Sequence, residues 1–406
     1  MCLLFDLRCP QREDHVRREG RDFLFERGNM PGSSSPQPIG LYVHVPFCVS
    51  KCTYCDFASY AGREADIPRY VDAMIREITR RSAETGHPKA NTIFLGGGTP
   101  SLLDEFQATR ILDALFAAFP MEEDAEITCE CNPATLTTPF AQALRRAGVN
   151  RLSVGAQARQ TRLLRLIGRI HHWEEVIASV DIARQAGFGN ISLDLMLGLP
   201  SQTVSDVRET LEAAIALSPT HLSCYGLIIE KGTPICRDLA AKKLALPDEQ
   251  SECDMHELAR QTLTEHGFVQ YEMCNFAREG YACRHNIGCW TRMPYLGFGC
   301  AAHSFFEEYR TMNPSELDAY FAGEEPKTER ISKEQARFES MMLGLRLTRG
   351  VKNEDFARMH GMSIREAFGD KLDKPIDAGL LQWHEGALRL TRRGMDLQDS
   401  VLVDLK

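Results

Sequence analysis

The stretch Phe47–Tyr60, FCVSKCTYCDFASY, holds Cys48, Cys52 and Cys55 in the spacing C-x3-C-x2-C. Three thiolates this close on one loop can converge on a single metal centre. They are one short of the four ligands of an all-cysteine zinc or iron–sulfur site. Three is the informative number, because a cubane held by three cysteines keeps one iron open to a small ligand. Chance spacing or a zinc site is the competing reading.

Working outward, short apolar runs alternate with amphipathic ones. The runs IGLYVHV (39–45), NTIFLG (91–96), AEITCE (125–130), NRLSVG (150–155), NISLDLML (190–197) and THLSCYGL (220–227) read as strands. Helical patterns cover 67–82, 101–119, 139–147, 174–186 and 204–217 between them. This alternation argues an α/β fold with a parallel sheet and helices outside. Six units suggest an incomplete βα barrel, whose chemistry belongs at the C-terminal ends of the strands.

The distinctive residues fall at those ends. Strand one delivers Tyr42 and the cysteine loop, with Pro46 biasing Val45 to an extended conformation. Strand two ends in Gly96-Gly97-Gly98-Thr99-Pro100. The glycines permit close backbone approach to a ligand and leave amides free to bond it. A plain strand-to-helix turn, with Thr99 as N-cap and Pro100 at the first helical position, is the structural alternative. Glu130, Gln157, Arg169 and Asp194 follow at or near later strand ends. A carboxylate among apolar strand residues is costly to bury unpaired. Glu130, Arg169 and Asp194 could satisfy one another; together they would also suit a ligand carrying an ammonium, a carboxylate and a ribose.

The composition bounds the rest. The chain has 406 residues, 43% hydrophobic and 25% charged, as in globular proteins. A net charge of −9 disfavours nonspecific nucleic-acid binding. No apolar run approaches the roughly 20 residues that span a bilayer. Fourteen cysteines in a long chain without a secretory signal point to a reducing compartment, so a cytoplasmic location is expected. Cys129, Cys131, Cys224 and Cys300 lie in apolar runs and read as buried small hydrophobes. Residues 1–38 mix Arg with Asp and Glu and end in MPGSSSPQP, a flexible linker, so they read as an extension. Its Cys9-Pro10 is a dipeptide sometimes found at regulatory heme sites, and a disordered tail is the plainer reading.

The order of YVHVPFCVSKCTYCDF, IFLGGGTPSLL, GVNRLSVGAQ, GRIH and LDLMLGLPSQT resembles the radical S-adenosylmethionine superfamily. Within it the chain resembles the oxygen-independent coproporphyrinogen oxidases and their heme-chaperone relatives, over residues 39–305. The resemblance implies that Cys48, Cys52 and Cys55 ligate a [4Fe–4S] cluster. It further implies that Tyr42, Tyr54, Gly97, Gly98, Thr99, Glu130, Gln157, Arg169 and Asp194 line the S-adenosylmethionine site, with Ile228 at the adenine. An electron donor for the cluster is expected with it.

Two functions share this core. The oxidase decarboxylates coproporphyrinogen III and carries a fourth cysteine two residues after the third. Here that position is Phe57, which favours the heme chaperone without excluding radical chemistry, so enzymatic activity stays open. Chaperone-type members carry an H-N-x-x-Y-W stretch associated with heme; here it reads His285-Asn286-Ile287-Gly288-Cys289-Trp290. His285 is the candidate heme ligand, Cys289 a possible substitute and His303 a weaker one; an ordinary core histidine is the alternative. The expected partners are heme and a heme-acceptor protein.

After a connector over 306–330, residues 331–406 read as a small winged-helix-like domain. QARFESMMLGLRL is an amphipathic helix, and LLQWHEGALRLT is a wing turning at Glu385-Gly386. A winged helix raises a DNA regulator, or a zinc protein, as a competitor. With 13 Lys+Arg against 12 Asp+Glu the segment lacks a DNA reader's basic face. Packing on the barrel or docking a partner is the expected role.

Overall fold

Alternate residues of the barrel strands do opposite jobs. One set, including Leu41, Val43, Ile93, Leu95, Leu152, Val154, Leu193 and Leu222, joins a hydrophobic core with the surrounding helices. The other set is buried too but polar: Thr92, Thr128, Arg151, Ser153, Ser192, His221 and Ser223. Period-two alternation sends the first set out to the helices and the second into the barrel. The structure, a computed structural model, describes residues 37–406. The N-terminal extension, its linker and Cys9-Pro10 lie outside the described residues, apart from 37 and 38.

The strands are β1 (Ile39–Val45), β2 (Ala90–Gly97), β3 (Met121–Cys131), β4 (Arg151–Gln157), β5 (Asn190–Leu197) and β6 (His221–Gly226). They lie parallel and in chain order. Between them run α1 (Ile67–Thr85), α2 (Glu105–Ala118), α3 (Thr138–Arg146), α4 (Trp173–Gln185) and α5 (Val204–Ala216). Helix starts are fixed locally: Asp104, Thr137 and Thr203 accept hydrogen bonds from the amides of Gln107, Phe140 and Asp206. Each such cap is worth about 1 kcal/mol.

The expected incomplete six-stranded barrel is present, within a larger sheet. Among the described residues the sheet has twelve strands. Beyond β6 it turns antiparallel, through β7 (Asn275–Ala277). Beside β1 lies a further parallel strand, β8 (Tyr295–Phe298), which carries the YLGF run. Antiparallel β9 (His303–Phe306), β10 (Tyr309–Met312) and β11 (Lys327–Arg330) then extend that edge. Residues 306–330, expected to be a connector, carry two of these strands, with a short helix at Leu317–Ala322 between them. Their polar alternation, with no apolar run, hid the strands: β10 is half-buried, and β11, at the sheet's edge, is exposed.

The winged-helix-like domain starts with the helix α7 (Lys333–Gly344), flanking a three-stranded sheet of β12 (Val351–Lys352), β13 (Leu381–His384) and β14 (Ala387–Leu390). Glu385 and Gly386 both have positive φ, 47° and 76°, which turns the wing in two residues. The domain packs beneath the barrel on the short helix α6 (Arg284–Trp290) and the strand edge. Glu339 of α7 takes Arg292 at 3.3 Å and Arg310 at 2.7 Å, and Arg346 lies 4.5 Å over the Trp290 ring. Glu339 and Arg292 are both buried. Glu339→Ala leaves that arginine without its carboxylate and is expected to cost about 3 kcal/mol, read as a lowered urea midpoint.

Candidate functional site

The C-terminal ends of the barrel strands surround a cavity of about 460 Å³. Its wall brings together Cys48, Cys52, Tyr54, Cys55, Gly97, Gly98, Thr99, Glu130, Gln157, Arg169, Asp194 and Ile228. These residues are spread over some 180 positions of chain; the barrel makes them neighbours.

The cysteine loop is pinned at both ends. Phe47–Cys48 pairs with Tyr60–Ala61, and the Tyr60 amide donates to the Pro46 carbonyl at 2.7 Å. In the middle, the Thr53 amide donates to Ile167 at 3.0 Å and the Lys51 ammonium donates to the Phe57 carbonyl at 2.8 Å. Burial lifts the Cys48 thiol above its usual range and pushes Cys55 up to about 11. Thr99 departs from the capping role: its hydroxyl donates to the Cys48 sulfur at 3.5 Å, and Pro100 opens only a short 3-10 turn. Among the described residues no three His, Cys, Asp or Glu side chains stand close enough for one metal ion. Thiolates around a cubane stand further apart than around a single ion, because the irons separate them, and here three face one cavity.

The glycine run holds this loop against β2. Gly97 has φ 109°, and a Cβ there would lie 2.5 Å from His44 Nδ1. The Gly98 amide donates to the Val45 carbonyl at 2.8 Å. A Cβ on Gly98 would meet the Phe47 and Val45 carbonyl oxygens at 2.7 and 2.9 Å. Gly97 is required by its φ and by the His44 ring, and Gly98 by close backbone approach. Contrary to the expectation from the glycine run, neither amide is free for a ligand: Gly97 donates to Glu130 and Gly98 to Val45.

The charged residues are held separately. Asp194 accepts from Ser223 at 2.8 Å, from Ser153 at 3.1 Å to each oxygen, and from Ser192 at 3.4 Å. Glu130 accepts the Gly97 amide at 3.2 Å. Arg169 donates to the Tyr54 hydroxyl at 3.3 Å, and its buried Nε has no partner. Burial works against the Arg169 cation, but Tyr54 and Cys52 outweigh it and raise its pKa. Burial pushes the Tyr54 phenol up to about 12, with Arg169 opposing. Gln157 is buried with φ 64°, where the β4–β5 register shifts. Such a conformation is costly away from glycine and is typical of ligand sites. A buried guanidinium with an open donor, a serine-held carboxylate and half-buried strand-end groups fit a ligand bearing a carboxylate, an ammonium and hydroxyls. The residues present therefore fit a three-cysteine cluster with S-adenosylmethionine beside it.

Two residues expected near bound groups stand elsewhere. Tyr42 lies below the cavity, stacked on Phe94 with ring centroids 6.4 Å apart. Its hydroxyl donates at 2.9 Å to His44 Nδ1, whose other nitrogen donates to the Ala58 carbonyl at 2.8 Å. Tyr42 thus props the loop rather than lining the cavity. His285 is 1% exposed, on α6 inside the lower barrel. Its Nδ1 lies 2.8 Å from Thr92 Oγ1 and its ring stacks on Phe94 at 5.1 Å. Its Nε2 is buried without a partner, so the nitrogen suits an iron, but a porphyrin reaches it only if α6 moves. Cys289 and His303 are half-buried, on α6 and β9. Asn132, Ser153, Met196 and Tyr225 also line the cavity and were not singled out by the sequence. Strand alternation, which sets Ser153 on the face of Gly155, was the available signal.

The open parallel barrel, with a three-cysteine loop after its first strand, defines a protein of the radical S-adenosylmethionine type. The family model described as "Radical SAM superfamily" matches residues 42–214, and "HemN C-terminal domain" matches 331–397. The structure of coproporphyrinogen III oxidase from Escherichia coli superposes with TM-score 0.78 at 24% identity, covering 91% of this chain and 90% of that one. The heme chaperone HemW of Bacillus subtilis is 36% identical over 89% of this chain and 97% of its own length. That of Escherichia coli is 34% identical over 90% and 97%. The chain belongs to the heme chaperone HemW family.

Two tests follow from the geometry. Gly98→Ala forces the second strand off the cysteine loop, and S-adenosylmethionine affinity, by calorimetry, is expected to fall at least about tenfold. In the metal-free protein, alkylation of Cys55 is expected to be slow at pH 8 and to keep rising with pH toward about 11, because only the thiolate reacts. Mass spectrometry of the labelled peptide measures it.

Proposed function

We propose that the chain binds a [4Fe–4S] cluster on Cys48, Cys52 and Cys55 and S-adenosylmethionine in the adjoining cavity, and that it carries heme to an acceptor protein. The observation that carries this reading is the cavity itself. It joins the three-cysteine loop, the Glu130 carboxylate beside the glycine turn, and Arg169, whose buried Nε has no partner, in one wall.

In this reading Arg169 takes the ligand carboxylate. The strand-end groups around Gly97, Gly98 and Glu130 take the ammonium, and Asp194 takes ribose hydroxyls. Ile228 and Met196 supply apolar cover at the remaining edge. Tyr42 and His44 hold the loop from below. A bound cluster supplies one-electron chemistry, for which an external electron donor is required. The protein's part is binding, orientation and exclusion of water.

Phe57 lines the cavity at the position where the oxidase has its fourth cysteine, and the HemW relatives match along nearly the whole chain. Both favour the chaperone over coproporphyrinogen III oxidation. His285 is the proposed axial ligand, reached when α6 opens, and an apo-hemoprotein is the proposed acceptor. Residues 331–406 cover α6 and are proposed to move with that opening. A near-neutral C-terminal segment supports a protein acceptor and not nucleic acid. No described helix is long and apolar enough to cross a membrane. We further propose a cytoplasmic location, on the fourteen cysteines.

An anaerobic hemin titration of the reconstituted protein, followed at the Soret band, tests this. Stoichiometric binding, weakened at least about tenfold in His285→Ala, is expected. No hemin binding, with anaerobic turnover of coproporphyrinogen III to a decarboxylated product, overturns it in favour of the oxidase.

A further inference from the structure

Below Asp194 the barrel interior holds a line of hydrogen bonds that cofactor binding does not use. Ser192 Oγ lies 3.4 Å from Asp194 Oδ1 and 2.8 Å from His221 Nδ1. His221 Nε2 lies 2.8 Å from the Tyr271 hydroxyl. The same hydroxyl accepts the amide of Cys283 at 3.3 Å. Cys283 is the N-cap of α6, two residues before His285. The line thus runs from the cavity floor to the helix that seals His285.

The donor roles follow from its two ends. A carboxylate accepts and an amide donates. Ser192 therefore gives its proton to Asp194 and accepts from His221 Nδ1–H. That tautomer leaves Nε2 to accept from Tyr271, whose oxygen takes the Cys283 N–H. Burial, with the Arg151 charge near, holds His221 well below the usual histidine range, which keeps it neutral as this pattern needs. Every proton points toward Asp194. Further along α6, the amides of Arg284 and His285 donate to Glu126 at 3.0 and 3.1 Å, so the helix start rests on two acceptors, Tyr271 and Glu126.

The carboxylate is unevenly used. Oδ1 takes Ser223, Ser153 and Ser192, while Oδ2 has only a share of Ser153. A ligand hydroxyl finds room on Oδ2 and turns Ser153 fully onto Oδ1. A carboxylate oxygen has about two lone pairs. Ser192, the longest of the three contacts, is the one displaced. We propose that Ser192, His221 and Tyr271 are positioning residues that couple ligand occupancy at Asp194 to the helix carrying His285, with occupancy loosening the helix. The inference rests on the proposed S-adenosylmethionine reading and deepens it.

Hydrogen–deuterium exchange of residues 283–290 in the anaerobically reconstituted protein tests it, with and without S-adenosylmethionine, with binding followed by calorimetry. In the wild type the ligand is expected to speed exchange of this segment about tenfold, a usual size for coupled sites. By the same linkage it tightens hemin binding by a matching factor. Tyr271→Phe removes the oxygen that joins His221 to Cys283. It is expected to bind S-adenosylmethionine as the wild type does, to exchange faster without ligand, and to lose the ligand-dependent increment. A merely structural tyrosine raises the baseline and keeps the increment, which overturns the proposal. So does a wild-type segment that does not respond while calorimetry shows binding. Where Tyr271→Phe fails to fold, Ser192→Ala breaks the other end of the line and is expected to lose the ligand-dependent increment at S-adenosylmethionine concentrations that calorimetry shows to be saturating for that variant. No calorimetric binding to the wild type overturns the cofactor reading, and this inference with it.

Discussion

The carboxylate of Asp194, surrounded by serine hydroxyls, is the interaction on which the barrel depends. Removing a carboxylate from water is costly unless donors replace the lost solvent. Ser153, Ser192 and Ser223 supply them from three adjacent strands, at paired positions of the β4–β5 and β5–β6 ladders. A slip of one residue in either ladder would turn the serines to the helix side. It would strand the carboxylate among apolar groups. The same half-buried charge thus fixes strand register and leaves a polar group facing the cavity. Stability and ligand binding use one arrangement.

The rest of the barrel interior follows the same economy of donors and acceptors. Glu126 caps the start of α6, Thr92 bonds His285, and His44 joins Tyr42 to the Ala58 carbonyl. An interior this polar is rigid when satisfied and informative where it is not. Among the described residues, the buried nitrogens without a hydrogen-bond partner include Arg169 Nε and His285 Nε2. One faces the cavity and the other is sealed under the C-terminal domain. In the proposed function the first serves the ligand at the top of the barrel and the second serves heme below. Glu339, clamped between Arg292 and Arg310, is a buried polar tie across the seal.

What the amino-acid sequence determined by itself was local. Strand and helix alternation came from the spacing of apolar residues, and β1 and β5 lie where their runs place them. The three cysteines declared the cluster loop because ligand spacing is a property of a few consecutive residues. The glycine run declared close backbone approach for the same reason, and the wing was written in its two turn residues. The tertiary structure alone decided matters that depend on residues far apart in the chain. It placed β8 beside β1, drew two strands of 306–330 onto the sheet, and turned the Thr99 hydroxyl to Cys48 instead of to a helix cap. It put Tyr42 beneath the cavity and His285 out of solvent, although both sit in recognisable motifs. It also joined Ser192, His221 and Tyr271, three unremarkable residues, into one line. Propensity and motif spacing act over a few residues, whereas burial and hydrogen-bond partnership are set by whichever distant segment arrives alongside.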